Sequence, residues 1–166
     1  MSRINEIVEE LKKRDYSNFD EFYDLTSKLV YYMIYNIIKK KDLVEDLIQD
    51  TYLKFLENID KIKLSDNPSA YLAQSAKNNA INAYNKNKRM INTSDYFDNY
   101  QHVQEEARID LGIMDYLEGM EKEIVTLKII GDLKFREIAD IVNKPLGTVL
   151  WIYNKAIKYL RKKVSE

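Results

Sequence analysis

Basic and amide side chains in two windows of the sequence have the most evident chemistry. Residues 77–89 carry four positive charges, five asparagines and no acidic residue. Residues 144–163 carry six positive charges and no acidic residue. Lysine and arginine neutralise phosphates, and an amide can both donate to and accept from a base edge. The two windows predict contacts with a polyanion such as a nucleic acid, although two solvated helix faces would show the same composition.

The sequence gives little indication of catalytic activity. The chain has no cysteine and one histidine, His102, which excludes disulfides, zinc–thiolate sites, iron–sulfur clusters and a cysteine nucleophile. We find no glycine-rich phosphate loop, and His102 lies in a polar stretch without an evident nucleophile–base pair. We expect a protein that is not an enzyme and needs no metal or cofactor.

The elements that must position the two basic windows are predicted to be helices. Apolar residues recur at helical spacing, and four glycines and two prolines are too few for a turn-rich β fold. We expect an all-α protein: two small helical domains joined by a flexible linker, the C-terminal one a helix-turn-helix. The expected bounds are 1–92, 93–108 for the polar linker, and 109–166. The predicted helices are 3–14, Ser17 or Asp20 to about 38, 42–56, 69–89, 109–118, 120–130, 134–142 and 146–163.

The composition and the first residues predict the cellular compartment of the protein. The content of 45% hydrophobic and 32% charged residues is ordinary for a globular chain. No apolar run approaches the ~20 residues of a membrane span, and the first residues lack a signal-peptide pattern. The expected location is the cytoplasm.

The segment from Phe135 to Val149 has the pattern of a helix-turn-helix. Ala139 supplies the small residue where two helices cross, and Asn143 can adopt the positive φ of the turn. Ile138, Val142 and Val149 are expected in the interior, with the second helix facing a major groove. An ordinary helical hairpin is the alternative. Outside this motif, Ser69 is the expected N-cap of the 69–89 helix and Gly131 the expected C-cap of the 120–130 helix.

Three stretches, in order, resemble the extracytoplasmic-function type of bacterial sigma factor, a two-domain member of the sigma-70 family. Asp42–Phe55 (DLVEDLIQDTYLKF) and Ser69–Asn82 (SAYLAQSAKNNAIN) resemble two helices of region 2. Glu121–Lys163 resembles region 4. The resemblance implies a non-enzymatic transcription initiation factor that binds core RNA polymerase and directs it to promoters through their −10 and −35 elements. It also admits an anti-sigma factor as a partner.

For the polymerase, the resemblance implies contacts with the β′ and β subunits. The candidate residues are Asp46, Gln49 and Asp50, on the polar side of the first stretch. Acidic and amide groups on a rigid helix complement an arginine-rich partner. From spacing alone, a solvated face with acids near a helix N-terminus stays an open interpretation.

For the −10 element, the resemblance implies that Asn78 and the preceding loop hold a flipped base, while basic residues contact phosphates. Asn82 stands where the family usually has aspartate, and Asn85 where arginine is frequent. The candidate set is Lys63, Asn67, Lys77, Asn78, Asn82, Asn85, Lys86, Lys88 and Arg89.

The predicted −35 helix departs most from the family. Leu150 and Ile152 stand where basic residues are expected, and Leu150 and Trp151 should point outward. They could contact thymine methyls, form a protein interface, or signify weak −35 recognition. The candidate set is Lys144, Thr148, Leu150, Trp151, Asn154, Lys155 and Lys158.

Two other functions stay open on the sequence. One is a helix-turn-helix regulator that acts without polymerase. The other is a sigma-like protein that binds or sequesters polymerase without full promoter recognition.

Overall fold

A computed structural model describes residues 2–63, 66–88 and 112–165. The described residues form seven α-helices, and the expectation of an all-α fold is confirmed. The helices are α1 (Arg3–Lys12), α2 (Phe19–Tyr35), α3 (Lys41–Glu57), α4 (Pro68–Lys88), α5 (Gly119–Val125), α6 (Phe135–Val142) and α7 (Leu146–Val164). The predicted linker 93–108, His102 and Arg89 lie outside the described residues.

Shorter turns complete the two halves of the fold. Ile59–Lys61 and Gly112–Tyr116 are 3-10 turns, and α5 continues into a π turn at Thr126–Ile130. The described part of the predicted 109–118 helix is therefore only a 3-10 turn. We call α1–α4 the N-terminal bundle, and α5–α7 with the Gly112–Tyr116 turn the C-terminal bundle. Among the described residues, no helix is both long enough and apolar enough to cross a bilayer.

An aromatic cluster forms the centre of the N-terminal bundle. The rings of Phe22 on α2 and Phe55 on α3 stack with centroids 5.1 Å apart. Tyr71 on α4 meets Phe55 edge-on at 5.9 Å, and Tyr52 meets Phe22 edge-on at 6.2 Å. Both arrangements are favoured by aromatic quadrupoles. Since these rings come from α2, α3 and α4, the cluster fixes the relative positions of the three helices.

Two predicted helix N-caps are wrong by one or two positions. Helix α2 follows Asn18 as N-cap, and Ser17 instead donates to Asp15. For α4, the carboxamide oxygen of Asn67 accepts the Ser69 backbone N–H at 2.9 Å, so Asn67 is the cap. Pro68 then occupies the first helical position, where its missing N–H costs nothing.

The helix-turn-helix forms as the residue pattern predicts. Asn143 ends α6 with φ 56° and ψ 50°, the left-handed conformation of the turn. Ile138 and Val149 are fully buried, and Val142 is nearly so. Phe135 packs edge-on against Tyr153, with ring centroids 5.1 Å apart, and ties the start of α6 to α7.

The two bundles share one hydrophobic core. Leu29 and Val30 of α2 belong to the same buried cluster as Ile124, Leu127 and Ile138 of the C-terminal bundle. Gly131 sits at the contact. A Cβ there would lie 2.7 Å from the Leu127 carbonyl oxygen and 3.1 Å from Leu29 Cδ1. A glycine is favoured here because a Cβ would clash with the Leu127 carbonyl of the same bundle and would press on Leu29 across the contact.

A pair of lysines lies on an aromatic surface where the bundles meet. Lys39 Nζ is 4.0 Å from the centre of the Tyr35 ring, and Lys122 Nζ is 5.5 Å from the same centre. Burial, with repulsion from Lys122, lowers the pKa of Lys39 from 10.5 to about 8. Burial lowers the pKa of Lys122 as well. The junction of the two bundles is therefore sensitive to protonation.

We expect the free energy of unfolding to rise between about pH 8 and about pH 10.5. In that window the unfolded chain keeps the Lys39 proton and the folded chain loses it, so raising the pH favours folding. Denaturant titrations at several pH values measure the effect, and Lys39→Met should flatten the slope. A wild-type free energy of unfolding that stays constant or falls across this window would contradict the assignment.

Candidate nucleic-acid interface

Helix α3 presents a polar face to solvent. Asp46 and Gln49 are exposed, and Asp50 is half-buried with its carboxylate 3.0 Å from Lys54 Nζ. The opposite side of α3 buries Val44 and Phe55 in the core. The face is therefore held rigidly and can meet a basic partner without rearrangement of the helix.

A buried amide network fixes α3 to α4. Asn79 Nδ2 donates to Thr51 Oγ1 at 3.1 Å, and Lys54 Nζ donates to Asn79 Oδ1 at 3.1 Å. The Thr51 hydroxyl in turn donates to the Leu47 carbonyl at 2.7 Å. The sequence analysis missed this role, because Asn79 belongs to a run of asparagines. Its spacing from Leu72 and Ala76, which are buried on the same stripe, was the available signal.

The outer face of α4 carries amides and lysines. Asn78 is exposed, and its side-chain oxygen accepts from Gln74 Nε2 at 3.1 Å. The other exposed residues of the predicted −10 set on this helix are Asn82, Asn85, Lys86 and Lys88. The arrangement puts hydrogen-bonding amides and cations on one accessible helix.

Helix α7 follows the helix-turn-helix turn and exposes a mixed apolar and polar surface. Trp151 is 64% exposed and Leu150 is 36% exposed. The opposite side buries Val149, Ala156 and Leu160, as the predicted register requires. The remaining predicted −35 residues, Lys144, Thr148, Asn154, Lys155 and Lys158, are all exposed.

The amino-acid sequence resembles those of known proteins. Residues 22–90 match the family model of sigma-70 region 2. The chain is 22% identical over 182 residues to the ECF RNA polymerase sigma factor SigW of Bacillus subtilis (strain 168), covering 98% of this chain and 97% of the relative. The chain is thus similar over nearly its whole length to an extracytoplasmic-function sigma factor. SigM of the same organism, another ECF sigma factor, is 29% identical over 133 residues, with 75% of this chain and 81% of SigM covered.

Solved structures show the same fold. The sigma factor RpoE of Bartonella quintana, in complex with the anti-sigma factor NepR, has a TM-score of 0.63 at 18% identity, covering 89% of this chain and 97% of that one. CnrH, in complex with the cytosolic domain of CnrY, has a TM-score of 0.66 at 15% identity, covering 99% and 98%. These two structures thus share the helical arrangement of this chain across both bundles.

Two residues of the predicted −10 set face the C-terminal bundle. Lys77 Nζ lies 2.7 Å from the Glu123 carboxylate and donates to the Ile141 carbonyl at 3.1 Å. Asn67, besides capping α4, donates to Glu137 Oε1 at 3.4 Å. Lys63, by contrast, is exposed. The sequence could not reveal these contacts, since Lys77 and Glu123 are far apart along the chain.

Trp151→Ala is expected to lower the free energy of unfolding of the protein by less than ~1 kcal/mol. Most of the indole is already in water, so its loss leaves no cavity. Leu160→Ala, on the buried side of the same helix, is the matched comparison and should cost about 2–5 kcal/mol. Denaturant unfolding of both variants measures the difference. Equal losses would show that Trp151 packs inward.

Proposed function

We propose that this protein is a sigma factor of the extracytoplasmic-function type, which binds core RNA polymerase through α3 and directs it to promoters through α4 and α7. The observation that carries the proposal is the order of three exposed surfaces along one helical scaffold. An acidic and amide face on α3 is followed by an amide and lysine face on α4 and by the second helix of a helix-turn-helix.

For polymerase, the proposed contacts are Asp46, Gln49 and Asp50 with a basic surface of the β′ subunit. Opposite charges on the two surfaces raise the association rate and fix the relative orientation of the two proteins. Both effects require that the polymerase surface is basic. Helix α3 is held rigidly, since its Thr51 accepts a hydrogen bond from Asn79 of α4 and its Phe55 stacks on Phe22 of α2. This rigidity favours the role, because little conformational entropy is lost on docking. The β subunit is the proposed second contact of polymerase.

For the −10 element, the proposed reader is Asn78, supported by Asn82, Asn85, Lys86 and Lys88. An amide that is exposed beside Gln74 can exchange that one hydrogen bond for a base edge. Lysines on the same face supply phosphate contacts that carry affinity without sequence information. Lys63 and Arg89 complete the proposed set, and Lys77 and Asn67 join it once the C-terminal bundle releases them.

For the −35 element, α7 is the proposed reading helix. Its basic window, 144–163, lacks acidic residues and suits a phosphate-lined groove. We propose that an anti-sigma factor controls the protein in the cytoplasm, since a protein of related fold has been solved in complex with the anti-sigma factor NepR.

In vitro transcription with core polymerase on a library of genomic fragments tests the function. We expect defined start sites that depend on this protein. Retained polymerase binding without any start site would favour a sequestering protein, and DNA binding without polymerase binding would favour a separate regulator. Either result would overturn the proposal.

Asn78→Ala is expected to reduce promoter melting more than total DNA binding. The amide is proposed to read one extruded base, whereas most affinity comes from phosphates. Permanganate footprinting at the start site measures melting, and a filter-binding assay measures affinity. Gln74→Ala removes the neighbouring partner without touching the proposed reader, and serves as the control. Normal melting by Asn78→Ala would place the pocket elsewhere.

A further inference from the structure

The outer side of α7 carries apolar side chains that the fold does not use. Leu150 and Trp151 are exposed, and Leu146 one turn earlier is 36% exposed. The core side of the same helix is fully occupied by Val149, Ala156 and Leu160. Exposing a tryptophan gives up a large hydrophobic gain. Since the fold does not require it, a bound partner is the natural explanation.

The surroundings of these side chains select the partner. Lys155 Nζ lies 5.1 Å from the centre of the Trp151 ring, and Lys144 and Lys158 are exposed on either side. The window 144–163 contains no carboxylate. Outside the window, the Glu121 carboxylate lies 3.6 Å from Lys155 Nζ and is the acidic neighbour that the structure gives this lysine. An apolar patch beside several lysines complements a surface with phosphates at its rim and apolar groups within, which describes the major groove of DNA.

We propose that Leu150 and Trp151 read thymine methyl groups in the −35 element, an assignment that rests on the proposed function. A leucine side chain has no hydrogen-bonding group, and indole has a single donor. Neither can match the donor and acceptor pattern of a guanine or adenine edge. The C5 methyl of thymine is the apolar group that the major groove offers. The protein therefore prefers a T-rich half-site at these positions.

Replacing thymine by deoxyuridine tests the proposal, because the exchange removes the methyl and nothing else. Duplexes are first selected from a random library by the full chain bound to core polymerase. Each thymine of the selected −35 element is then replaced singly. We expect about a fourfold loss of affinity per contacted methyl, which corresponds to ~0.8 kcal/mol.

Two variants show whether Leu150 and Trp151 cause the effect. Leu150→Ala and Trp151→Ala should bind thymine and uracil duplexes equally. Lys155→Ala, the control, should weaken both duplexes alike and keep the methyl preference, because it is proposed to contact phosphate.

The outcomes separate the two proposals. Selection of a T-rich element with uracil sensitivity that the variants lose supports the inference. A specific element that tolerates uracil overturns the inference and leaves the proposed function standing. Weaker polymerase retention by Trp151→Ala, with unchanged promoter affinity, would show a protein interface and also overturns it. No sequence-specific selection at all overturns both.

A second, independent observation concerns the contact between the bundles. The Lys77–Glu123 pair is largely shielded, with side-chain exposures of 17% and 21%, and Asn67 is held by Glu137. Both Lys77 and Asn67 belong to the proposed −10 surface. The two contacts fix the orientation of the C-terminal bundle against α4 in the free protein.

Discussion

The double change Asp46→Arg with Gln49→Ala is expected to weaken binding to core RNA polymerase at least tenfold. Both side chains are exposed on the outer face of α3. Charge reversal at a complementary interface replaces attraction by repulsion, and a tenfold loss is ~1.4 kcal/mol. Titration of the labelled protein with core polymerase measures the affinity at fixed salt.

The control is Asp24→Arg, which makes the same charge reversal at an exposed position on α2. It should leave polymerase affinity within about twofold, since long-range repulsion is screened at physiological salt. Circular dichroism of the double variant should match the wild type. A folded double variant with unaltered affinity would remove α3 as the polymerase surface.

Phe55→Ala is expected to destabilise the protein by about 3–5 kcal/mol. Phe55 is fully buried and stacks on Phe22 at 5.1 Å, so its removal leaves a cavity between α2, α3 and α4. This loss is a large share of the ~5–15 kcal/mol that stabilises a typical domain. Denaturant unfolding measures it, and both polymerase and DNA binding should decline as the unfolded fraction grows.

Leu53→Ala is the matched control on the same helix. Its side chain is 59% exposed, so truncation should cost no more than ~0.5 kcal/mol. A Phe55→Ala loss below ~1 kcal/mol would mean that the core collapses around the gap or that α3 is held mainly by polar contacts.

Periodicity was enough to predict the long helices and the helix-turn-helix. The register of α7 follows from Val149 and Leu160, and it correctly places Trp151 outside. The left-handed turn at Asn143 could also be predicted, because few residues tolerate that conformation. These features depend on side chains close together in the sequence.

Caps and long-range partners could not be predicted in the same way. Ser17, Asn18 and Asp20 are all residue types that favour N-caps. Helix α2 begins after Asn18, whose side-chain amide donates to Glu10 of α1 at 2.8 Å and makes no cap hydrogen bond. Asn79 looks like its neighbours in the sequence, yet it is buried against Thr51. The sequence assigns Lys77 a phosphate, whereas the fold pairs it with Glu123. In each case neighbouring residues have similar local propensities, and the contacts of the folded chain decide which one is used.

Trp151 is the single tryptophan of the chain, and its indole is exposed on the outer side of α7. Fluorescence excited selectively at the indole band therefore originates from this helix alone. Emission from a hydrated indole shifts to shorter wavelength when water is displaced from the ring. The unmodified protein thus carries its own optical reporter of α7 occupancy. Combined with a separate signal for docking on α3, it gives the order in which the two surfaces are engaged during assembly.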